Sequence, residues 1–176
     1  MRFLKWLMGI VVLLAFVVVG GGLLMPREIS LDRSVVINAP AEEVFPHINN
    51  LAANEAWSPW LGLDPDVVLT YGDVVEGIGA TMRWASDSPD VGNGAMEIIA
   101  SEPGTLVETA LDFGPMGTGS ARFDLVEASG GTEVTWGFYT DLGMNPIARW
   151  FGPMIEGPVG DDYQRGLNNL KTLVEG

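Results

Sequence analysis

The chain has 176 residues, of which 23 are acidic, nine basic, one histidine and none cysteine, for a net charge of −14. Without cysteine there is no disulfide framework, thiol nucleophile, zinc ribbon or C-x-x-C redox pair, and a lone His47 excludes a multi-histidine metal site. So acidic a balance also argues against nucleic-acid binding, which needs basic patches to neutralise phosphates, and against electrostatic adhesion to anionic lipid.

The first element is apolar throughout. Trp6 to Met25 is a run of 20 residues without a charge, 16 of them apolar and four glycine. As a helix it rises ~30 Å, the thickness of a hydrocarbon core. It ends in Gly20-Gly21-Gly22-Leu23-Leu24-Met25 with no small-x-small cleavage pattern, so an uncleaved anchor is expected rather than a removed signal peptide. Arg2 and Lys5 before the run predict a cytoplasmic N-terminus and a single pass through the cell membrane, with the remainder extracytoplasmic. Residues 1–26 therefore read as a transmembrane anchor, contacting the membrane through residues 6–25, and residues 27–176 as one domain. All 23 acids and seven of the nine bases lie in that domain, which carries −16 by itself.

Ile29, Leu31, Val35 and Ile37 alternate with Ser30, Asp32, Ser34 and Val36, predicting a strand over 28–38. A short helix follows, with Asn38 or Ala39 at its cap, Pro40 in its first turn, Glu42 and Glu43 where the helix dipole favours acids, and Pro46 expected to kink or end it. Leu51 to Trp57 reads as a second short helix closed by Ser58-Pro59. From residue 66 the period changes to two. Val67/Leu69/Tyr71, Ala80/Met82/Trp84, Met96/Ile98, Val107/Thr109/Leu111/Phe113, Ala121/Phe123/Leu125 and Val134/Trp136/Phe138 mark six strands separated by glycine-rich turns, an antiparallel meander. Helical spacing returns after the Asn145-Pro146 cap, in Ile147, Trp150, Phe151 and Met154 and then in Tyr163, Leu167, Leu170 and Val174. Gly152-Pro153 and Gly157-Pro158 lie between the two stretches and predict a broken or kinked C-terminal helix.

The order β-αα-ββββββ-α resembles the START-like or SRPBCC superfamily, and within it the bacterial group of polyketide cyclase/dehydrase and lipid transport proteins. The resemblance is carried by Val35-Val36-Ile37-Asn38-Ala39-Pro40-Ala41-Glu42-Glu43-Val44-Phe45, by Trp57-Ser58-Pro59-Trp60, and by Gly130-Gly131-Thr132-Glu133-Val134-Thr135-Trp136. It implies an α+β helix-grip fold, a curved antiparallel sheet around a long C-terminal helix, here preceded by one transmembrane helix. An apolar cavity between sheet and helix is implied as well.

In that fold the strand and helix aromatics face one another across the cavity. The candidate lining is Trp57, Trp60, Met82, Trp84, Phe113, Trp136, Phe138, Trp150, Met154 and Tyr163, a plastic apolar pocket for a hydrophobic small molecule. Tyr163 is the candidate to donate a hydroxyl to a ligand carbonyl. No catalytic, metal or cofactor residue is assigned. His47 lacks an identifiable orienting carboxylate, Glu97 is out of phase with Met96 and Ile98, and Asp161-Asp162 reads as solvated acids. The expectation is a membrane-anchored binding or carrier protein for a lipid or other apolar molecule. A cyclase- or dehydratase-type enzyme and a protein-interaction module are the alternatives, and the oligomeric state is left open.

Overall fold

A computed structural model describes residues 2–176; Met1, the first residue of the expected anchor, lies outside the described residues. Helix α1 spans Arg2–Leu24 and is long and apolar enough to cross a membrane, with almost none of its surface covered by the rest of the chain. Strand β1 (Glu28–Ile37) leads into α2 (Ala41–Asn49) and a 3₁₀ turn over Leu51–Ala56. Six strands follow: β2 (Val68–Tyr71), β3 (Thr81–Ala85), β4 (Asn93–Glu102), β5 (Leu106–Asp112), β6 (Thr118–Ala128) and β7 (Gly131–Asp141). Helix α3 (Pro146–Glu175) closes the fold.

All seven strands form one curved antiparallel sheet in the order β1-β7-β6-β5-β4-β3-β2. The last strand thus lies beside the first, with Leu31 opposite Phe138 and Arg33 opposite Trp136. An irregularity between Ile98 and Ala100 bends β4. The period-two pattern is realised as inward burial of Ile37, Met82, Ile98, Val107 and Val134, joined by Val44 and Ile48 of α2 and Leu167 and Leu170 of α3. Gly131 meets the segment between β1 and α2 so closely that a Cβ there would overlap the Ile37 carbonyl oxygen. Next to it the Thr132 hydroxyl donates to the Ala39 carbonyl at 2.8 Å. Two of the sequence segments that carry the family resemblance, one from each end of the domain sequence, are therefore in contact at one edge of the sheet.

The expectation that proline would end α2 early or break α3 is corrected. Helix α2 starts at Ala41, with Pro40 as its cap, and runs through Pro46 to Asn49. Helix α3 passes Pro153 and Pro158 as one element of 30 residues. The reason lies in which side each residue occupies. Pro46, Pro153 and Pro158 are on exposed sides, while Val44, Ile48, Gly152 and Gly160 are held against the sheet, and this packing offsets the missing donor at each proline. Asn145 caps α3 as expected, its Oδ1 accepting from the amides of Ile147 at 3.0 Å and Ala148 at 3.4 Å.

Just past α1, the Arg27 guanidinium pairs with Asp141, Nε to Oδ1 at 2.7 Å, and clamps the start of β1 to the end of β7. Hydrogen bonds from Arg27 and from the Gly143 amide hold the Asp141 carboxyl at about 2, below the usual 3.8. A group lowered in this way stabilises the fold above about pH 4 and loses that contribution as pH falls through about 2. The pair is exposed and its effect modest. Asp141→Asn should therefore show a small stability deficit at neutral pH that vanishes between about pH 4 and about 2, followed by circular dichroism in an acid titration. Pro158→Ala restores a helix donor at an exposed site and should raise the unfolding free energy by about 1–3 kcal/mol in denaturant titration.

Candidate functional site

The concave face of the sheet meets α3 through aromatic rings. Tyr163 projects from α3 onto Trp136 of β7, ring centroids 3.8 Å apart and planes 18° from parallel. On its other side Trp136 stacks on Phe123 of β6 at 4.8 Å and 22°. Trp57 and Trp60 meet Trp136 edge-on at 5.4 and 5.8 Å, and Phe138 meets Tyr163 edge-on at 6.3 Å. Edge-to-face and offset contacts of this kind suit the ring quadrupoles. Helix α3 comes this near because its inward side is small at two turns. A Cβ on Gly166 would meet the Trp136 ring at 2.8 Å and Pro59 at 3.0 Å, and one on Gly160 would overlap the Arg33 guanidinium.

The Trp57-Ser58-Pro59-Trp60 segment is a strap from α2 to α3. Trp57 Nε1 donates to the His47 carbonyl at 3.0 Å, Asn169 Nδ2 to the Trp57 carbonyl at 3.2 Å, and Trp60 Nε1 to Asp162 Oδ2 at 2.9 Å. Asp162, read from sequence as a solvated acid, is thus the anchor of Trp60 and is also paired with Arg165 at 2.6 Å.

Two polar atoms in this group lack protein partners. Trp136 Nε1 is fully buried and unbonded among the described residues. The Tyr163 hydroxyl is pushed well above the ordinary tyrosine range by burial alone, with no hydrogen bond contributing. It is a neutral donor at any physiological pH, not a base. Glu97 is on the exposed side of β4, and the only role of His47 in the strap is through its backbone carbonyl. Among the described residues no group of three His, Asp or Glu is placed to hold a metal ion.

Of the ten residues singled out from sequence, Trp57, Trp60, Trp136, Phe138 and Tyr163 come together, and Met82 lies in the same buried core. Trp84 and Phe113 pair edge-on at 6.2 Å farther along the sheet, beside an open groove of about 400 Å³ that also touches Arg83, Asn93 and Asp112. Trp150 and Met154 are not part of the group. They are exposed, and Trp150 leans on α1 instead. The cause is helical phase: nine residues at ~100° each place Met154 on the side of an unbroken helix opposite Tyr163.

Sequence reasoning missed Arg33, which sits at the inward phase of β1 between Leu31 and Val35. Half-buried, it donates to its neighbour's Asp32 carbonyl at 2.8 Å and pairs with no carboxylate among the described residues. The alternation itself held the signal, since position 33 completes the inward set.

A curved antiparallel sheet gripped by a C-terminal helix, with an aromatic interior between them, defines the helix-grip class of α+β domain. The chain belongs to the polyketide cyclase/dehydrase and lipid transport family, whose sequence profile matches residues 28–175. Among curated proteins none matches. Solved structures share the fold at low identity. A crystal structure of a Chromobacterium violaceum protein is 20% identical, covering 86% of this chain and 99% of its own, with a TM-score of 0.57. Ara h 8.0201 is 14% identical over 84% of this chain and 97% of its own, at 0.62. The Aha1 dimer of Colwellia psychrerythraea is 15% identical over 84% and 96%, at 0.59. At these identities the likeness concerns the fold alone.

Tyr163→Phe removes a hydroxyl that has no partner and should change the unfolding free energy by less than about 0.5 kcal/mol. Trp57→Phe removes both the His47 hydrogen bond and buried volume and should cost about 1.5–3 kcal/mol in the same denaturant titration.

Proposed function

We propose that the protein is a membrane-anchored binding or carrier protein for a lipid or other apolar small molecule, held between the sheet and α3. In this reading residues 1–26 are an uncleaved single-pass anchor, residues 27–176 are the binding domain, and the domain lies outside the cytoplasm. The lining is formed by Trp57, Trp60, Trp136, Phe138 and Tyr163, which share one buried core with Met82, while Trp84 and Phe113 border an open groove farther along the sheet.

One observation carries the reading: Trp136 holds a fully buried indole N–H that bonds to no protein group inside an apolar interior, and Tyr163, stacked on it, carries a second donor. A buried donor without a partner costs about 1–3 kcal/mol, a cost that a bound oxygen acceptor would relieve. A carbonyl, ester or ether on an otherwise apolar molecule meets that requirement. Family membership supports the same class of ligand, and the weakly nucleophilic, neutral character of this interior favours binding over acid–base catalysis. An anchor close to a lipid source would raise the effective ligand concentration without any added contact.

The test uses the full chain in detergent micelles: native mass spectrometry for a co-purified small molecule, and titration with an anthroyloxy-labelled fatty acid read by energy transfer from tryptophan. Saturable binding is expected. Tyr163→Phe keeps the ring packing and removes one donor, while Trp136→Phe removes a donor together with part of a buried ring, so its folding is followed alongside by circular dichroism; each should weaken binding roughly 3- to 10-fold. A chain that carries no small molecule and shows no saturable transfer would overturn the reading, as would a double variant that binds as well as the parent.

A further inference from the structure

The first turns of α3 expose a stripe that soluble helices normally bury. Ile147, Phe151 and Met154 are 57%, 55% and 68% exposed, Trp150 is 39% exposed, and Met144 just before the helix is bare as well. Between Asp141 and Glu156 the only ionised side chain is Arg149, and it is withdrawn from the surface at 7% exposure. Its Nε and Nη2 donate to the Gly143 carbonyl at 3.0 and 2.7 Å, and its Nη1 to the Leu23 carbonyl at 3.3 Å. Leu23 lies in the last turn of α1, where the helix dipole favours a cation. A domain of charge −16 therefore presents one face without any outward charge.

The position of that face beside α1 indicates what covers it. Trp150 Nε1 donates to the Val18 carbonyl at 2.9 Å, within the 20-residue apolar stretch. Contact is close because α1 is glycine there: a Cβ on Gly21 would meet the Trp150 ring, and one on Gly22 would meet Pro146 Cα at 2.9 Å. Val18 lies six residues before Leu24, which is ~9 Å along the axis. Interfacial helices sink by about the same depth, 5–10 Å. A bilayer that covers α1 up to Leu24 thus reaches Trp150 and the side chains around it. The indole N–H, costly if free in hydrocarbon, already has the Val18 carbonyl as its partner.

We propose that residues 144–154 are a second membrane contact, an interfacial segment of α3 lying in the leaflet at the C-terminal end of α1 and covered by lipid. The inference rests on reading α1 as a membrane span. It means that the domain sits on the bilayer through α3 rather than trailing from a flexible tether. The same helical turns hold Gly152 against Ile29 of β1, so the β1–α3 seam is kept next to lipid.

The absence of cysteine makes the test direct. Single cysteines at Ile147, Phe151 and Met154, at Leu13 within α1 and at Ser129 in the β6–β7 turn are labelled with an environment-sensitive dye. The full chain is then reconstituted in dioleoylphosphatidylcholine vesicles with or without nitroxide-labelled phosphatidylcholine. Lipid nitroxide should quench the dyes at 147, 151, 154 and 13 at least about twofold, with those on α3 favouring the shallower nitroxide, and should leave 129 unchanged. If 13 is quenched while 147, 151 and 154 behave like 129, the proposal falls and the anchor stands. If 13 also behaves like 129, the anchor reading fails and takes this proposal with it. Dyes on α3 shielded from both lipid nitroxide and aqueous iodide would identify a protein partner or second copy on this face and overturn it too.

Discussion

Everything in this molecule that bears on function depends on α3 keeping one helical phase from Asn145 to its end. Because the helix is continuous, its inward side is set along its whole length: Arg149, Gly152, Gly160, Tyr163, Gly166, Leu167 and Leu170 all turn toward the sheet or α1. The two glycines at 160 and 166 let the axis approach β1 and β7, and Tyr163 between them reaches Trp136 at stacking distance. Were the helix broken at Pro153 or Pro158, the two apolar stretches could both face inward. Held continuous, they face opposite ways, and one chain element serves two environments.

The interior that results is apolar in its bulk and polar at two atoms. Phe123, Trp136 and Tyr163 stack in series while Trp57 and Trp60 close the series edge-on, each tied by its indole N–H to His47 or Asp162. Against that fully bonded strap, the free Trp136 Nε1 is an exception within one cluster, and buried exceptions of this kind are where a native structure departs from the rule of satisfied polar groups. The raised Tyr163 hydroxyl adds a donor that stays neutral. An interior of this composition is apolar area with a neutral hydroxyl and one unbonded indole N–H, and the carboxylate at its edge, Asp162, is engaged by Trp60 and Arg165.

The charge distribution follows the same division. Acids crowd the domain surface, with Arg122 engaged by Asp124 and Arg27 by Asp141, while the one arginine in the first half of α3 spends its donors on the carbonyls of Gly143 and Leu23. Acidic surface and uncharged stripe thus meet at the point where α1 ends and β1 begins.

How much of this was legible in the sequence depends on the range of the physics involved. Local periodicity, turn residues and caps act over a few positions, so the order of seven strands and three helices, the antiparallel meander, the Asn145 cap and the apolar α1 could all be read from the residues themselves. The aromatics of the strap and of β7 could be read too, because strand alternation assigns Trp136 and Phe138 to one face. The fate of Pro46, Pro153 and Pro158 could not, since a proline penalty is local while the packing that offsets it comes from β1 and the sheet. With that undecided, the facing of Trp150 and Met154 was undecided as well. Partners far apart in sequence, such as Asp162 for Trp60 and the α1 carbonyls for Trp150 and Arg149, exist only once the chain has closed. The sequence by itself determined the elements, the family and the apolar character of the interior; the tertiary structure decided which aromatics meet there and which side of α3 is left bare, because both follow from helix phase over 30 residues held in place by the sheet.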